Sequence, residues 1–444
     1  IVAQDLASPP NVALSEGTLA INPTSVNLTS ANFPIAGTLN FYRIIYLLSG
    51  EVTIGSGGNF PSLTGNGGLF RSINENIVSG NITAKILGDL IEPGTNALNQ
   101  WVEDGTGNYS LTIVPADSSL KTILGSYTGG LIRLNGADRV TIDGRYNGSG
   151  NFLTFINNKD TNNTATFQLI SLGAGAGCSN VTIRNCNIKA GINSVDNVFG
   201  IFGGSSSGSL STGNAGGADF DNISIIENKI SKCRVGLFIR GTSTDQMTNL
   251  VVSGNIIGSD ISNEYVTNYG LYIGFADAPQ VIGNEIYNMI YEISKWAIYF
   301  SSNINNAIVS KNKIHSIKQP GTLGYNSVGI YFSSATGCFN NRIDNNMIYD
   351  LSTYGNVSMY LVGIRIAGGD NYKIYFNSIS ISDTIGNSVS GLVSSCLYFS
   401  AATTNVDVRN NIFYNIRSGN SPKNYTIFSP NTTTFTSINN NVYW

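Results

Sequence analysis

The clearest pattern in this sequence is a short run of alternating hydrophobic and polar positions that returns many times. "VGIYFSS" begins at Val328, and similar runs begin at Tyr269, Trp296 and Val362. Alternation with a period of two residues is typical of a β-strand and argues against a helix. Proline, which removes a hydrogen bond from a central strand, is rare, with 11 residues in the chain. The pattern therefore predicts an all-β protein.

A second motif, with an asparagine near its end, follows each copy of the first. "LVVSGNII" contains Asn255, "AIVSKNKI" contains Asn312, and Cys186 holds the same position in an earlier copy, "VTIRNCNI". The full series is Asn228, Asn255, Asn284, Asn312, Asn346, Asn377, Asn411 and Asn441. A period of about 30 residues with two or three strands per repeat indicates a solenoid. We interpret each repeat as one coil of a right-handed parallel β-helix.

The asparagine position has two predicted roles. We expect it at a bend between two strands, because asparagine tolerates the left-handed backbone conformation. Each strand of a β-helix pairs with its counterpart one coil later, about 4.8 Å away. Asparagine side chains stacked at that spacing are expected to hydrogen-bond along the axis as a ladder.

Two columns of residues follow from the first motif. The first is aliphatic and is expected to face inward: Ile201, Leu237, Leu271, Ile298, Ile330, Ile364, Leu397 and Ile427. Its next neighbours face outward by alternation: Phe202, Phe238, Tyr272, Tyr299, Tyr331, Arg365, Tyr398 and Phe428. This outward stripe either supports the sheet by ring stacking or provides a platform for sugar rings or a neighbouring chain. Its candidate contact residues are Phe238, Tyr272, Tyr299, Tyr331, Arg365 and Tyr398.

The repeat also defines the domain organisation. Residues 1–48 lack the period and are predicted to form an N-terminal β extension, whereas 49–444 form the β-helix. Within it, 49–130 supply a cap and irregular first coils, and 131–444 supply regular coils. The stretch "PSLTGNGGLFRSINEN" is predicted to form a short capping helix over the first coil.

The two ends suggest a mode of assembly. No helix or polar cap follows Tyr443 and Trp444, so the last coil is expected to expose unpaired strand edges. A strand containing Thr18, Leu19 and Ile21 is a candidate to pair with that edge in another copy. Because the two surfaces differ, such contacts repeat without closing and produce a filament.

Composition narrows the functional classes. Charged residues are 11% of the 444 residues and the net charge is −3, which provides no basic surface for nucleic acid. No apolar run approaches the roughly 20 residues of a membrane span. The cysteines show no CxxC spacing, so we interpret them as small buried hydrophobic residues rather than disulfide or zinc ligands. They are Cys178, Cys186, Cys233, Cys338 and Cys396.

The sequence offers little catalytic apparatus. Pectin hydrolases of the β-helix fold use clustered aspartates with GHG and RIK motifs, and neither motif occurs here. The single histidine, His315, is expected in a surface loop. Asp138 and Asp143 lie beside Arg139 and Arg145, and we interpret the four as salt bridges and a tight turn at a coil edge.

A second acidic group, Asp219 and Asp221 in "ADFDN", follows a Gly/Ser-rich loop and is a candidate to bind a cation. Calcium-dependent lyases need several carboxylates that converge on a cation, plus a basic residue. We therefore predict no catalytic residue, no cofactor and no metal site.

Several stretches are similar to a known family. "VTIGSGGNFPSLT", "GTNALNQW" and "LIRLNGADRVTIDGRYNGSG" resemble right-handed β-helix surface proteins secreted by bacteria of the Bacteroidetes and Chlorobi group, many of them like type IX secretion substrates. The resemblance covers roughly residues 50–444 and implies an extracellular protein. Members of the family commonly carry a C-terminal sorting domain, which the resemblance implies is removed or lies beyond this chain. It supplies no catalytic residue.

The predicted function is a non-catalytic extracellular structural protein that assembles head to tail at the cell surface or in a filament. The alternatives are a carbohydrate-active or carbohydrate-binding β-helix, resembling a polysaccharide lyase or hydrolase, and a surface adhesin. A homo-oligomer and a glycan are the expected partners.

Overall fold

The computed structural model describes residues 45–444 except 106, 322, 324, 355–359, 384–392, 419–422 and 432–433. Before residue 45 it describes only the backbone of four short strands. Val2–Gln4 pairs antiparallel with Val12–Leu14, and Thr18–Leu19 pairs antiparallel with Ile35–Ala36. These strands belong to a separate compact unit, Ile1–Tyr46.

Residues Leu47–Trp444 form a parallel β-solenoid whose coils each supply one strand to each of three long sheets. The described part has about 11 turns of about 33 residues. Sheet 1 contains Leu47–Ile54, Ile77–Ile86, Leu111–Pro115, Val140–Asp143, Thr182–Arg184, Ser224–Ile226, Val251–Ser253, Gln280–Ile282, Ile308–Ser310, Arg342–Asp344, Lys373–Tyr375, Val406–Arg409 and Phe435–Asn439, and Val102–Glu103 pairs with its second strand. The predicted parallel β-helix is therefore confirmed.

Sheet 2 contains Leu90–Glu92, Lys121–Gly125, Leu153–Asn157, Cys186–Ala190, Lys229–Ser231, Ile256–Ile257, Glu285–Ile290, Lys313–Gln319, Met347–Thr353, Ser378–Ile381, Ile412–Asn415 and Val442–Tyr443. Sheet 3 contains Leu98–Asn99, Gly129–Asn135, Thr164–Ser171, Val198–Ser205, Cys233–Arg240, Val266–Gly274, Lys295–Phe300, Ser327–Phe332, Tyr360–Ile366, Val393–Phe399 and Lys423–Phe428. Short strands Met247–Thr248, Ala276–Asp277 and Ile304–Asn305, and the pair Gly369–Asp370 and Thr403–Thr404, lie between the long sheets in sequence.

The aliphatic column of sheet 3 lies in the core, as predicted. Ile298, Ile330 and Ile364 are in register in consecutive coils and are 0 to 1% exposed. The residue before each of them is small and also faces inward. A Cβ added to Gly329 would lie 2.9 Å from Cγ2 of Ile348, a core residue of sheet 2. A small residue is therefore favoured where sheet 3 lies close to sheet 2, and Ala297 and Cys396 occupy the same position in other coils.

Because two successive residues face inward, the outer face of sheet 3 carries two columns three residues apart. The column containing Tyr331 was predicted from simple alternation. The second contains Phe199, Val235, Tyr269, Trp296, Val328, Val362, Ser395 and Tyr425, which the strand registers align. Rings of the two columns touch: the Tyr269 and Tyr272 centroids are 5.2 Å apart.

The predicted asparagine ladder is present and buried. From Asn228 to Asn441, each side-chain amide donates to the Oδ1 of the next asparagine over 2.9–3.1 Å. Cys186 extends the ladder, because its backbone N–H donates to Asn228 Oδ1 at 3.0 Å. The predicted left-handed conformation falls one residue earlier, for example at Lys311 (φ 59°) before Asn312.

The predicted capping helix is Leu69–Glu75, and it buries Leu69, Phe70 and Ile73 in the core. Asn74 connects it to the edge strand Leu98–Asn99 of sheet 3. Its Nδ2 donates to Ala97 O at 2.7 Å, and its Oδ1 accepts from Asn99 N at 2.9 Å. The helix therefore satisfies polar groups at the first coil as well as covering apolar surface. A 3₁₀ turn is formed by Ser262–Glu264.

All five cysteines are buried and unpaired, as predicted. Burial raises the pKa of Cys178 to about 12. A thiol in this state is protonated at neutral pH and is a poor nucleophile. Their role is therefore packing.

Candidate functional site

The upstream half of the predicted aromatic stripe is covered. Phe202 and Phe238 are 1% and 0% exposed, and Tyr272 is 8% exposed. Leu210, in the loop after Val198–Ser205, packs with them in a second apolar cluster outside the core. Phe238 therefore points outward, as alternation predicts, but it cannot contact a ligand or another chain in this structure.

The downstream half of the stripe is half-buried and reaches the surface. Tyr299, Tyr331, Arg365 and Tyr398 follow one another in register in consecutive coils. Tyr299 meets Tyr331 edge to face with centroids 5.5 Å apart, and Tyr398 stacks on Phe428 at 4.7 Å. Strand pairing thus fixes this row of rings to the solenoid.

Arg365 interrupts the row and is surrounded by tyrosine. Its guanidinium carbon lies 3.8 Å from the ring centroid of Tyr360, 4.6 Å from that of Tyr331 and 5.4 Å from that of Tyr398. Within the described part of the chain no carboxylate pairs with it, and its buried Nε has no hydrogen-bond partner. Cation–π contacts hold the guanidinium plane without using its terminal N–H groups.

The tyrosines around Arg365 are poor proton acceptors. Burial raises the pKa of Tyr331, against the opposing charge of Arg365. Burial, followed by the hydrogen bond with Tyr360, raises the pKa of Tyr398 to about 12. Both phenols are therefore neutral at pH 7, which suits stacking and hydrogen bonding better than proton abstraction.

We call the half-buried row Tyr299, Tyr331, Arg365 and Tyr398 the open stripe. Two further basic residues, Lys295 and Arg234, lie near its upstream end and were not indicated by the sequence. Lys295 is fully buried, and its ammonium donates to the backbone oxygens of Tyr291 and Ile293, the latter at 2.7 Å. Arg234 pairs with Asp196 at 2.7 Å, but its buried Nε and Nη1 have no partner among the described residues. Burial and, to a smaller extent, the charge of Arg234 lower the pKa of Lys295 to about 7, and Glu292 opposes the shift.

This pKa predicts a pH-dependent stability. Between pH 7 and the ordinary lysine value of 10.5, folded Lys295 is largely neutral while the unfolded side chain is charged. The unfolded state then binds more protons, so the free energy of unfolding rises with pH relative to Lys295→Met, by at most about 1.4 kcal/mol per pH unit. Urea denaturation of both proteins at about pH 6, 7.5 and 9 measures the difference. A difference that stays constant across these conditions contradicts the prediction.

The acidic candidates are engaged in structural contacts. Asp143 accepts from Arg145 through both oxygens and pairs with Arg184 at 2.8 Å, which confirms the predicted coil-edge salt bridges. These hydrogen bonds and charges outweigh burial and lower the pKa of Asp143. Asp138 accepts from Ser179 N at 2.8 Å. These carboxylates therefore stabilise turns.

Asp219 and Asp221 do not converge. Asp219 Oδ2 accepts from Gly177 N at 3.1 Å, and Asp221 Oδ1 accepts from Thr248 N at 2.8 Å and from Thr248 Oγ1. In the described ranges there is no group of three or more His, Cys, Asp or Glu side chains able to hold a metal ion.

The expectation that His315 lies in a surface loop is wrong. It belongs to the strand Lys313–Gln319 of sheet 2, because the variable segment begins only after Gln319. Its ring stacks between Tyr287 and Tyr349, at centroid distances of 5.4 and 5.0 Å. Its Nε2 lies 3.1 Å from Glu285 Oε1.

The predicted assembly residues are placed as follows. Thr18 and Leu19 already pair with Ala36 and Ile35 in an antiparallel ribbon, and Ile21 lies outside the described residues. Tyr443 and Trp444 are 46% and 73% exposed. No described helix has the length and apolar character needed to cross a membrane.

The fold of this chain is similar to that of a solved carbohydrate-active enzyme. The GH136 lacto-N-biosidase from Eubacterium ramulus is 10% identical, with a TM-score of 0.54 over 88% of this chain and 67% of that chain. The Streptococcus pneumoniae surface protein and adhesin PfbA is 13% identical, with a TM-score of 0.47 over 79% and 88%. A mannuronic acid specific polysaccharide family 6 lyase from human gut microbiota is 10% identical, with a TM-score of 0.46 over 89% and 87%.

At these identities the similarity shows the fold alone. No protein-family model matches the sequence, and no curated protein is similar to it in sequence.

Proposed function

We propose that this chain is a secreted carbohydrate-binding β-solenoid that holds an acidic polysaccharide along the open stripe of sheet 3. The observation that carries the proposal is Arg365, a guanidinium without an acid partner among the described residues and enclosed by Tyr331, Tyr360 and Tyr398. The proposal develops the carbohydrate-binding alternative rather than the structural one.

The chemistry of Arg365 specifies the charge of the ligand. A planar guanidinium forms paired hydrogen bonds with a carboxylate, and these are among the stronger polar contacts in proteins. Its faces already contact tyrosine rings, so its edge remains for the ligand. Tyr299, Tyr331 and Tyr398 offer ring faces or edges on either side, to which the apolar faces of sugar rings can pack.

Binding is a better fit to this surface than cleavage. β-Elimination from a uronate needs a base to remove a ring proton, and the raised pKa values of Tyr331 and Tyr398 keep both phenols protonated at neutral pH. We therefore assign Arg365 and the open stripe to recognition. The ladder spacing of about 4.8 Å per coil suits an elongated polymer laid along the axis.

The test is the affinity of Arg365→Gln for oligomers of mannuronate and galacturonate. We expect the Kd to rise about 10- to 100-fold, because a charged hydrogen bond contributes about 1.5–3 kcal/mol. Calorimetric titration at fixed salt measures the change. Arg342→Gln is the matched control, since Arg342 is exposed on sheet 1 and pairs with Asp344 at 3.0 Å.

Two results would contradict the proposal. The first is uronate binding by Arg365→Gln with wild-type affinity, and the second is an equal loss in Arg342→Gln. Arg365→Lys, which keeps the charge without the paired N–H groups, is expected to bind with intermediate affinity.

Location, lineage and assembly are further parts of the proposal. A polysaccharide-binding solenoid suits an extracellular or cell-surface position, which the surface-protein resemblance of the sequence also supports. Origin in the Bacteroidetes and Chlorobi group and export by type IX secretion rest on that resemblance. Head-to-tail assembly stays a prediction, and among the described strands Thr18–Leu19 pairs only with Ile35–Ala36.

A further inference from the structure

The outer face of sheet 2 carries its own ladder of rings. Tyr287, His315 and Tyr349 occupy one position in three consecutive coils, and their rings stack at 5.4 and 5.0 Å with interplanar angles of 24° and 8°. Further along the same sheet Tyr414 and Trp444 stack at 6.4 Å. The sequence analysis did not predict this row of rings, because it assigned an outward-facing aromatic column only to the motif that forms sheet 3.

One coil between these two groups lacks a ring. Ile348 pairs with Ile379 and Ser380 pairs with Tyr414, so Ser380 follows Tyr349 and precedes Tyr414 in the ladder. The missing ring leaves a cavity of about 350 Å³ between Tyr349 and Tyr414, with Ser380 at its base.

The size of the gap matches one ring. Successive strands are about 4.8 Å apart, so two coils separate the flanking rings by about 10 Å. A ring placed midway would lie about 5 Å from each, as His315 lies 5.4 and 5.0 Å from its two neighbours. The existing ladder therefore shows the spacing that an inserted ring would adopt.

The residues that line the gap favour an uncharged ligand. Met347 and Ile412, each 51% exposed, line the cavity together with Ser378 and Ser380, and its accessible surface is almost entirely apolar. None of the described residues that line the cavity is charged. A suitable occupant has two apolar faces toward the rings and an edge that remains in water.

We propose that this gap binds a neutral pyranose of a glycan chain, sandwiched between Tyr349 and Tyr414 in the position of the missing ring. The C–H faces of the sugar contact the two rings, and its equatorial hydroxyls point to solvent. The site is on a different sheet from Arg365 and takes an uncharged sugar, so it is independent of the acidic-polysaccharide site.

The test compares Ser380→Tyr with Ser380→Ala. The probes are β-1,4-linked hexamers of glucose, mannose and galactose, titrated by calorimetry. We expect wild type and Ser380→Ala to bind at least one of them equally, and Ser380→Tyr to bind it at least tenfold more weakly, because the new ring fills the gap. Arg365→Gln is expected to bind it like wild type.

Tyr349→Ser and Tyr414→Ser keep the test decisive if Ser380→Tyr does not fold, since each removes a half-buried ring from the surface. Each should lower the affinity at least tenfold while circular dichroism stays that of a β protein. The proposal is overturned if no neutral hexamer binds to the wild-type protein, or if Ser380→Tyr binds a hexamer with wild-type affinity. It is also overturned if a planar aromatic such as naphthalene sulfonate binds to the gap and the sugars do not. Dimerisation that Ser380→Tyr abolishes would overturn it as well.

Discussion

Asn312→Ala is expected to lower the free energy of unfolding by about 3–5 kcal/mol, because each buried polar group left without a partner costs about 1–3 kcal/mol. The Asn312 side chain accepts from both the backbone N–H and the Nδ2 of Asn284 at 3.0 Å. It also donates to Val281 O at 2.8 Å and to Asn346 Oδ1 at 3.0 Å. Asn312 is 1% exposed, so water cannot replace these bonds without opening the coil.

Urea denaturation followed by circular dichroism measures this loss. The control is Asn340→Gly, which removes an amide from an exposed ladder, where Asn371 Nδ2 donates to Asn340 Oδ1 at 2.7 Å. Asn340 has φ 60°, which glycine adopts without strain. We expect the control to change stability by less than about 1 kcal/mol. If the two substitutions lower the free energy of unfolding equally, burial does not make the Asn312 ladder contribute more to stability than the exposed one.

Ile330→Ala is expected to destabilise the solenoid by about 2–5 kcal/mol, the usual range for emptying a buried aliphatic site. Ile330 is fully buried between Ile298 and Ile364, and the stacked coils leave the cavity little room to collapse. Ile91→Ala on sheet 2 is the matched control, because Ile91 is 76% exposed. Denaturant unfolding of both variants measures the loss in free energy of unfolding. A loss for Ile330→Ala no greater than that for Ile91→Ala would contradict the assignment of Ile330 to the core.

Recurrence made the fold predictable. A residue type that returns once per coil must occupy one environment, so the asparagine ladder and the aliphatic column containing Ile330 followed from spacing alone. The cap Leu69–Glu75 could also be placed, because an open first coil requires cover. Each of these inferences depends on a residue's neighbours along the solenoid axis, which the repeat identifies.

The candidate site was less accessible to this reasoning. Strict alternation places one inward residue between outward ones, but Gly329 and Ile330 both face inward, so the column of Tyr269 and Trp296 was not assigned to the outer face. The burial of Phe238 depends on Leu210, which lies in an aperiodic loop. The isolation of Arg365 from acidic partners depends on the conformations of side chains from three coils, and no sequence spacing encodes it.

The parallel sheets have a mechanical consequence. The backbone hydrogen bonds of all three sheets, and those of the asparagine ladder, connect one coil to the next and so lie along the solenoid axis. Tension along that axis stretches these bonds rather than shearing them, so the weakest interface between two coils is expected to open first. A coil of about 33 residues pulled straight releases about 110 Å of chain. A polymer bound along sheet 3 would span several interfaces and share such a load between them.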